Sequence, residues 1–245
     1  MNSVAKKSRF GFLILLLLTI VILAATTGSA DIGTPASKKP VADVRDSIMP
    51  AYAMLEKNYG KNKKMPPSYK KQILYALSYF PDLIDTKIEF QIKKSSGGII
   101  STRPSIGSLL KKSSKRTYIV VIYDSTEGRT LPTFSNCDLS GQVGILGHEL
   151  CHIVDFNHRT GLSLMGLGVS HISRGFMDRF EYNTDSINIE RGLGYQLLAW
   201  KQYLDKGFKD MRAHDPLPSQ KSVPHERYMT VEQIQRVIAK SKVYQ

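Results

Sequence analysis

The sequence predicts an α+β protein, and three observations carry that prediction. Apolar residues recur at helical spacing up to Phe80, strict alternation and a β-branched run occupy residues 87–123, and helical spacing returns from about Ser140 to the C-terminus. A small sheet with a helical C-terminal half is the expected outcome. The 245 residues, 42% of them apolar and 22% charged, exclude disordered and collagen-like classes and suit a single domain over residues 44–245.

Ahead of that domain, Lys6, Lys7 and Arg9 precede an apolar run from Phe10 to Ala25, and Gly28-Ser29-Ala30 follows. The run is shorter than the ~20 residues of a comfortable membrane span, and the small residues suit cleavage after Ala30. Residues 1–30 therefore read as an export signal, or as an N-terminal anchor if left uncleaved. In that case residues 10–25 hold the chain to a membrane. The expected location is periplasmic, extracellular or membrane-anchored on the outer side. Residues 31–43, small, polar and proline-interrupted, read as a linker.

The first helix is expected from Val44, Ile48, Ala51, Tyr52 and Leu55, and the second, after Pro66-Pro67-Ser68, from Ile73, Leu74, Leu77 and Phe80. Lys87-Ile88-Glu89-Phe90-Gln91-Ile92-Lys93 alternates as a strand with one wet face. Tyr118-Ile119-Val120-Val121-Ile122-Tyr123 reads as a buried strand. Lys111 to Arg116 lies between them as a solvated basic turn. It carries no interleaved aromatic residues to stack bases, so no specific nucleic-acid partner is expected despite Lys and Arg outnumbering Asp and Glu 34 to 21. Leu131 to Asn136 is expected as a short edge strand, where proline is tolerated.

A helix follows from about Ser140 to Phe156, then a glycine-rich connection, Gly161 to Gly168. A third helical region runs from Arg174 to Arg191, punctuated by Gly192 and Gly194 before Tyr195 to Leu204 resumes. Thr230 is placed to cap a terminal helix from Val231 to Lys240. Cys137 and Cys151 are the only thiols, and spacing alone leaves open both a bridge and two free buried thiols.

The chemistry concentrates in His148-Glu149-Leu150-Cys151-His152. Histidines four residues apart share a helical face and can hand ring nitrogens to one Zn²⁺, while Glu149, about a hundred degrees round, can reach a water on the open side. The surrounding helix is apolar on nearly all sides, so three ionisable groups buried there call for a partner. Glu181 is the preferred third ligand, with Asp185 one turn later to accept the other ring N–H of a ligand histidine, His148 foremost. The alternative third ligand is His158, ten residues after His148. That spacing resembles the metzincins' third histidine, but Asp155 stands where their pattern has a glycine, and neither Met165 nor Met177 has convincing context for their methionine turn. His171 reads as a surface or satisfied histidine.

His148 to His152, followed by Ser173-Arg174 and by Arg179-Phe180-Glu181-Tyr182-Asn183-Thr184-Asp185, resembles the gluzincin branch of the zincin metallopeptidases, in which H-E-x-x-H is completed by a distal E-x-x-x-D. The second segment is similar to that of CAAX-endopeptidase-like gluzincins, and the pattern is shared with thermolysin-like peptidases. The resemblance covers about Tyr118 to Trp200, and the multiple membrane spans of the CAAX-endopeptidase-like relatives are absent. It implies a zincin-like fold, a small mixed sheet over an active-site helix, with an edge strand that pairs with an extended peptide or protein substrate. It also implies one Zn²⁺ and hydrolysis in which Glu149 is the general base. The candidates for an oxyanion helper are Tyr228, His225 and His214. Two rival readings are a non-catalytic zincin-scaffold binding protein of the cell envelope, and an envelope protein whose basic surface holds anionic polymers.

Overall fold

The computed structural model describes residues 48–94, 98–125, 132–170, 173–214 and 227–245; the export segment and linker read from the sequence lie outside the described residues. Helix α1 (Ile48–Tyr59) leads through the two-residue strand β1 (Lys63–Lys64) and a turn at Pro67–Tyr69 into α2 (Lys70–Leu77). Pro67 opens that turn where a missing N–H costs nothing. The apolar set expected of α2 is the set that is buried: Ile73, Leu74, Leu77 and Phe80 are sealed from solvent.

Strands β2 (Lys87–Lys94), β3 (Ile100–Pro104) and β4 (Thr117–Ser125) complete a four-stranded sheet in the order β1-β2-β4-β3. β1, β2 and β4 are parallel, and β3 returns antiparallel along β4, so the sheet is mixed. β4 is central and buries Tyr118, Val120, Val121 and Ile122, as its continuous apolar run predicts. β2 keeps the alternation at Ile88 and Phe90 but leaves Ile92 exposed near its far end.

Three expectations are corrected. Pro132 to Asn136 is a turn and not an edge strand; Leu131 lies outside the described residues. The turn's backbone groups are spoken for. Tyr203 takes both the N–H and the carbonyl of Thr133, Asn136 N–H bonds the Thr133 hydroxyl, and the Gln142 amide donates to Phe134 and Cys137 carbonyls. Phe134 is fully buried with its ring against the edge of Tyr69. Arg116, read as part of a solvated turn, is 2% exposed, and its guanidinium donates to the carbonyls of Lys111, Phe156 and Arg159. It thereby supplies a cation to the carbonyls at a helix C-terminus. Residues Gly161–Ser170, read as a connection, are helical because Leu164 and Leu167, three apart, are both buried.

The helical half begins with α3 (Leu139–Asn157), whose cap Asp138 accepts from Gly141 N–H at 2.7 Å. It continues through α4 (Gly161–Ser170), α5 (Arg174–Asn188), α6 (Gly194–His214) and α7 (Val231–Lys240). Between α5 and α6 the chain kinks at Gly192, whose φ of 95° suits glycine alone. α3 packs between α2 and β3, on the sheet side, and α5 and α6. Contact with α6 is backbone to backbone: a Cβ on Gly144 would stand 2.2 Å from the Gln196 carbonyl oxygen. A second, smaller core joins Ile189, Leu197, Met229, Ile234 and Ile238. Thr230 caps α7 as expected, and Gln233 bonds back to Thr230 N–H to close a capping box. Cys137 and Cys151 are free and buried. Burial pushes the Cys137 thiol up to about 12 and raises Cys151 too, which leaves both protonated and unreactive. Among the described residues no helix is long and apolar enough to cross a membrane.

Candidate metal centre

Because α3 turns every 3.6 residues, His148 and His152 lie one above the other on the face that meets α5. Their Nε2 atoms are 3.1 Å apart. From α5, Glu181 brings Oε2 to 3.1 Å from His148 Nε2 and 3.4 Å from His152 Nε2. All three residues are buried, and together they could hold a metal ion.

The tautomer of His148 is set from the other side of the ring. Its Nδ1 lies 2.7 Å from Asp185 Oδ1, so Nδ1 carries the proton and donates. In the neutral ring, Nε2 is then a bare acceptor, facing a carboxylate oxygen and a second imidazole. Such a convergence of lone pairs away from water demands a cation, whether a proton or a metal ion. Without a metal the protons respond accordingly. Burial pushes His148 down, but its bonds to Asp185 and Glu181 outweigh this and hold its pKa well above the usual histidine value. Burial pushes Glu181 up, but His148 and His152 pull its carboxyl well below the usual range.

Packing holds the second histidine. The His152 ring stacks on Phe180 at 5.2 Å and on Phe156 at 6.1 Å, and its buried Nδ1 has no hydrogen-bond partner among the described residues. Glu149 is also buried, one residue along α3. Tyr228, 47% exposed, sets its ring 5.6 Å from that of His148. Burial, then the charges of Glu181, Glu149 and Asp185, raise the phenol's pKa, so it remains a donor. His225 lies outside the described residues, as do His171 and the side chain of His214.

The alternative ligand His158 is not brought to the cluster. It caps the end of α3 in solvent, while Asp155 pairs with Arg159 through two short bonds. Met165 and Met177 both lie within helices, so neither forms a methionine turn.

Two contributors escape the motif. Asn188 donates to the Gly144 carbonyl at 3.0 Å and pins α5 to α3 where the ligands meet. Its signal was available: Glu181, Asp185 and Asn188 fall at i, i+4 and i+7, a polar stripe that is the buried face of α5. Met229 N–H donates to Asp185 Oδ2 at 2.9 Å, so the C-terminal segment braces the carboxylate that braces His148. No local pattern around Met229 announces this. No family model matches the chain, and no match was found among curated proteins or solved structures.

Proposed function

We propose that the chain is a zinc-dependent endopeptidase of the zincin kind, exported or membrane-tethered, with His148, His152 and Glu181 as ligands and Glu149 as general base. The observation that carries this is the triangle of ligand atoms, 3.1, 3.1 and 3.4 Å on its sides. Ligands bound tetrahedrally at ~2.0–2.1 Å stand about 3.3 Å apart, so the triangle fits one face of a tetrahedron and leaves a fourth position free. Two imidazoles and one carboxylate favour zinc over calcium or magnesium, which take oxygen donors.

Zinc supplies Lewis acidity and lowers the pKa of water towards ~7. The rest falls to the chain's own groups. Glu149 accepts the proton of the attacking water and passes it to the amine nitrogen as the C–N bond breaks. Tyr228, held protonated beside His148, donates to the carbonyl oxygen as it gains charge. Asp185 keeps His148 in the tautomer that leaves Nε2 bare. β3, the antiparallel edge of the sheet packed against α3, takes over the peptide-pairing role expected of residues 131–136.

Metal analysis and peptide cleavage test the reading together. Wild type is expected to hold stoichiometric zinc and cleave a peptide library. Glu149→Gln should keep the zinc and lose ~10²–10⁴ of the rate. Zinc without turnover on any peptide would transfer the site to a binding scaffold. Full activity in the glutamine variant would dismiss Glu149 as the base.

A further inference from the structure

The turn between β3 and β4 and the first turn of α4 form one apolar, basic tip. Ile106 and Leu110 stand 86% and 71% exposed, and Leu162 stands 64% exposed. The two segments meet at Leu110, since a Cβ on Gly161, the neighbour of Leu162, would lie 2.8 Å from Leu110 Cα and 3.2 Å from Leu110 Cδ2, and Ile106 precedes Leu110 by four residues in the same turn. The tip is also fastened down: the buried Arg116 ties Lys111 O to Phe156 O and Arg159 O at 2.8–2.9 Å. α4, Gly-Leu-Ser-Leu-Met-Gly-Leu-Gly-Val-Ser, has no ionisable side chain.

The charge along this stretch of the sequence is of one sign. Lys111, Lys112 and Lys115 are exposed beside Leu110, and no acidic residue occurs from Phe90 through Tyr123. Exposed aliphatic side chains grouped within a polar rim mark an interaction surface. Protein interfaces favour aromatic residues and arginine and are depleted in lysine, whereas this tip offers aliphatic residues and lysines. That combination matches a bilayer surface, where aliphatic tips enter the headgroup layer and lysines reach lipid phosphates. We infer that the tip docks the domain on an anionic membrane, with Ile106, Leu110 and Leu162 entering the interface and Lys111, Lys112 and Lys115 pairing with lipid phosphates. The inference is independent of the metal centre.

A site-resolved probe tests this in the full chain, because a label reports on the tip itself whether or not residues 10–25 also reach the vesicle. Leu110→Cys, Leu162→Cys and, as reference, Gln235→Cys on the outer face of α7 each receive an environment-sensitive nitrobenzoxadiazole label. The native thiols are buried and protonated, so wild type controls for background labelling. On vesicles of equal parts phosphatidylcholine and phosphatidylglycerol, the labels at 110 and 162 should shift to the blue and be quenched by brominated acyl chains, and the label at 235 should not. High salt should reverse both signals, as should the combined Lys111→Glu, Lys112→Glu and Lys115→Glu variant, with unchanged circular dichroism. Labels at 110 and 162 that stay in water on vesicle-bound protein would overturn the proposal, as would equal quenching at 235. Persistence of the signal on phosphatidylcholine alone or in the triple variant would remove the lysines' role. A blue shift without vesicles that grows with protein concentration would make the tip a contact between copies instead.

Discussion

Consecutive helices α3 and α4 invert the usual relation between composition and burial. α3 carries Gln142, His148, Glu149 and His152 and buries 15 of its 19 residues, whereas α4 carries no ionisable group and leaves Leu162 64% exposed. Partners account for the difference. Gln142 finds two carbonyls, His148 finds Asp185, and the Gly144 carbonyl finds Asn188. α4 buries Leu164 and Leu167 on one face and leaves Leu162 in solvent on another. A polar helix is thus interior where its groups are matched, and an apolar one stays partly exterior where the fold covers only one of its faces.

Glycines break the comparison most sharply. Gly144→Ala on α3 drives a Cβ to 2.2 Å from the Gln196 carbonyl oxygen, backbone that cannot step aside, and should cost at least ~3 kcal/mol as α6 is pushed away. Gly166→Ala on α4 meets nothing within 4 Å and should stabilise by ~0.5–1 kcal/mol. Denaturant midpoints of both variants check the pair. Shifts of the same sign would mean that the two helices are not packed so differently.

Next in size is Asp185. Replacing it by Ala removes the acceptor for His148 Nδ1–H and for Met229 N–H, and zinc affinity should fall ~10- to 100-fold. Asp185→Asn can serve only one of the two donors and should fall between. Chelator competition measures both, and an unchanged affinity in the Ala variant would leave the carboxylate a structural brace only.

Legibility in the sequence followed the same divide. The histidine face of α3 and the Glu181–Asp185 register were readable because each is a short periodic pattern on one helix. Arg116 was misread because its lysine neighbours are solvated, and what buries it is a pair of carbonyls some forty residues away. β3 went unseen because Ile-Ser-Thr-Arg-Pro has neither an apolar run nor clean alternation; its pairing to β4 from Ile100 to Pro104 makes it a strand. Asn188 and Met229 act on the site through contacts 44 residues distant in sequence, and local periodicity cannot register those.

The cluster on α3 also makes stability depend on pH, with a sign that can be worked out. His148 is raised above its ordinary 6.5, so its contribution is complete below that pH and is lost as pH climbs through the folded value. Glu181 is depressed below 4.5, so its contribution is complete above that pH and is lost on acidification. The metal-free cluster therefore stabilises the fold most between about 4.5 and 6.5. Above that window zinc displaces fewer protons and should stabilise more. The gap in melting temperature between zinc-loaded and chelator-treated protein should widen from pH ~5.5 to ~8.5; a gap that narrows would contradict the assignment of the His148 proton.

The smallest expected effect is the most discriminating for α4. Leu162 and Leu167 are the same residue type five positions apart on one helix, 64% and 5% exposed. Leu167→Ala removes buried methyl groups and should cost ~2–5 kcal/mol. Leu162→Ser removes a side chain that already stands in water, and in the absence of lipid the stability should stay within ~0.5 kcal/mol of wild type. Helix propensity pulls slightly against serine and hydration slightly for it, so near-cancellation is expected. A loss of several kcal/mol at Leu162 would mean that some other part of the chain covers this face in solution. α4 would then be an ordinary buried helix, its contrast with α3 would vanish, and the tip would have no free apolar surface to offer a membrane.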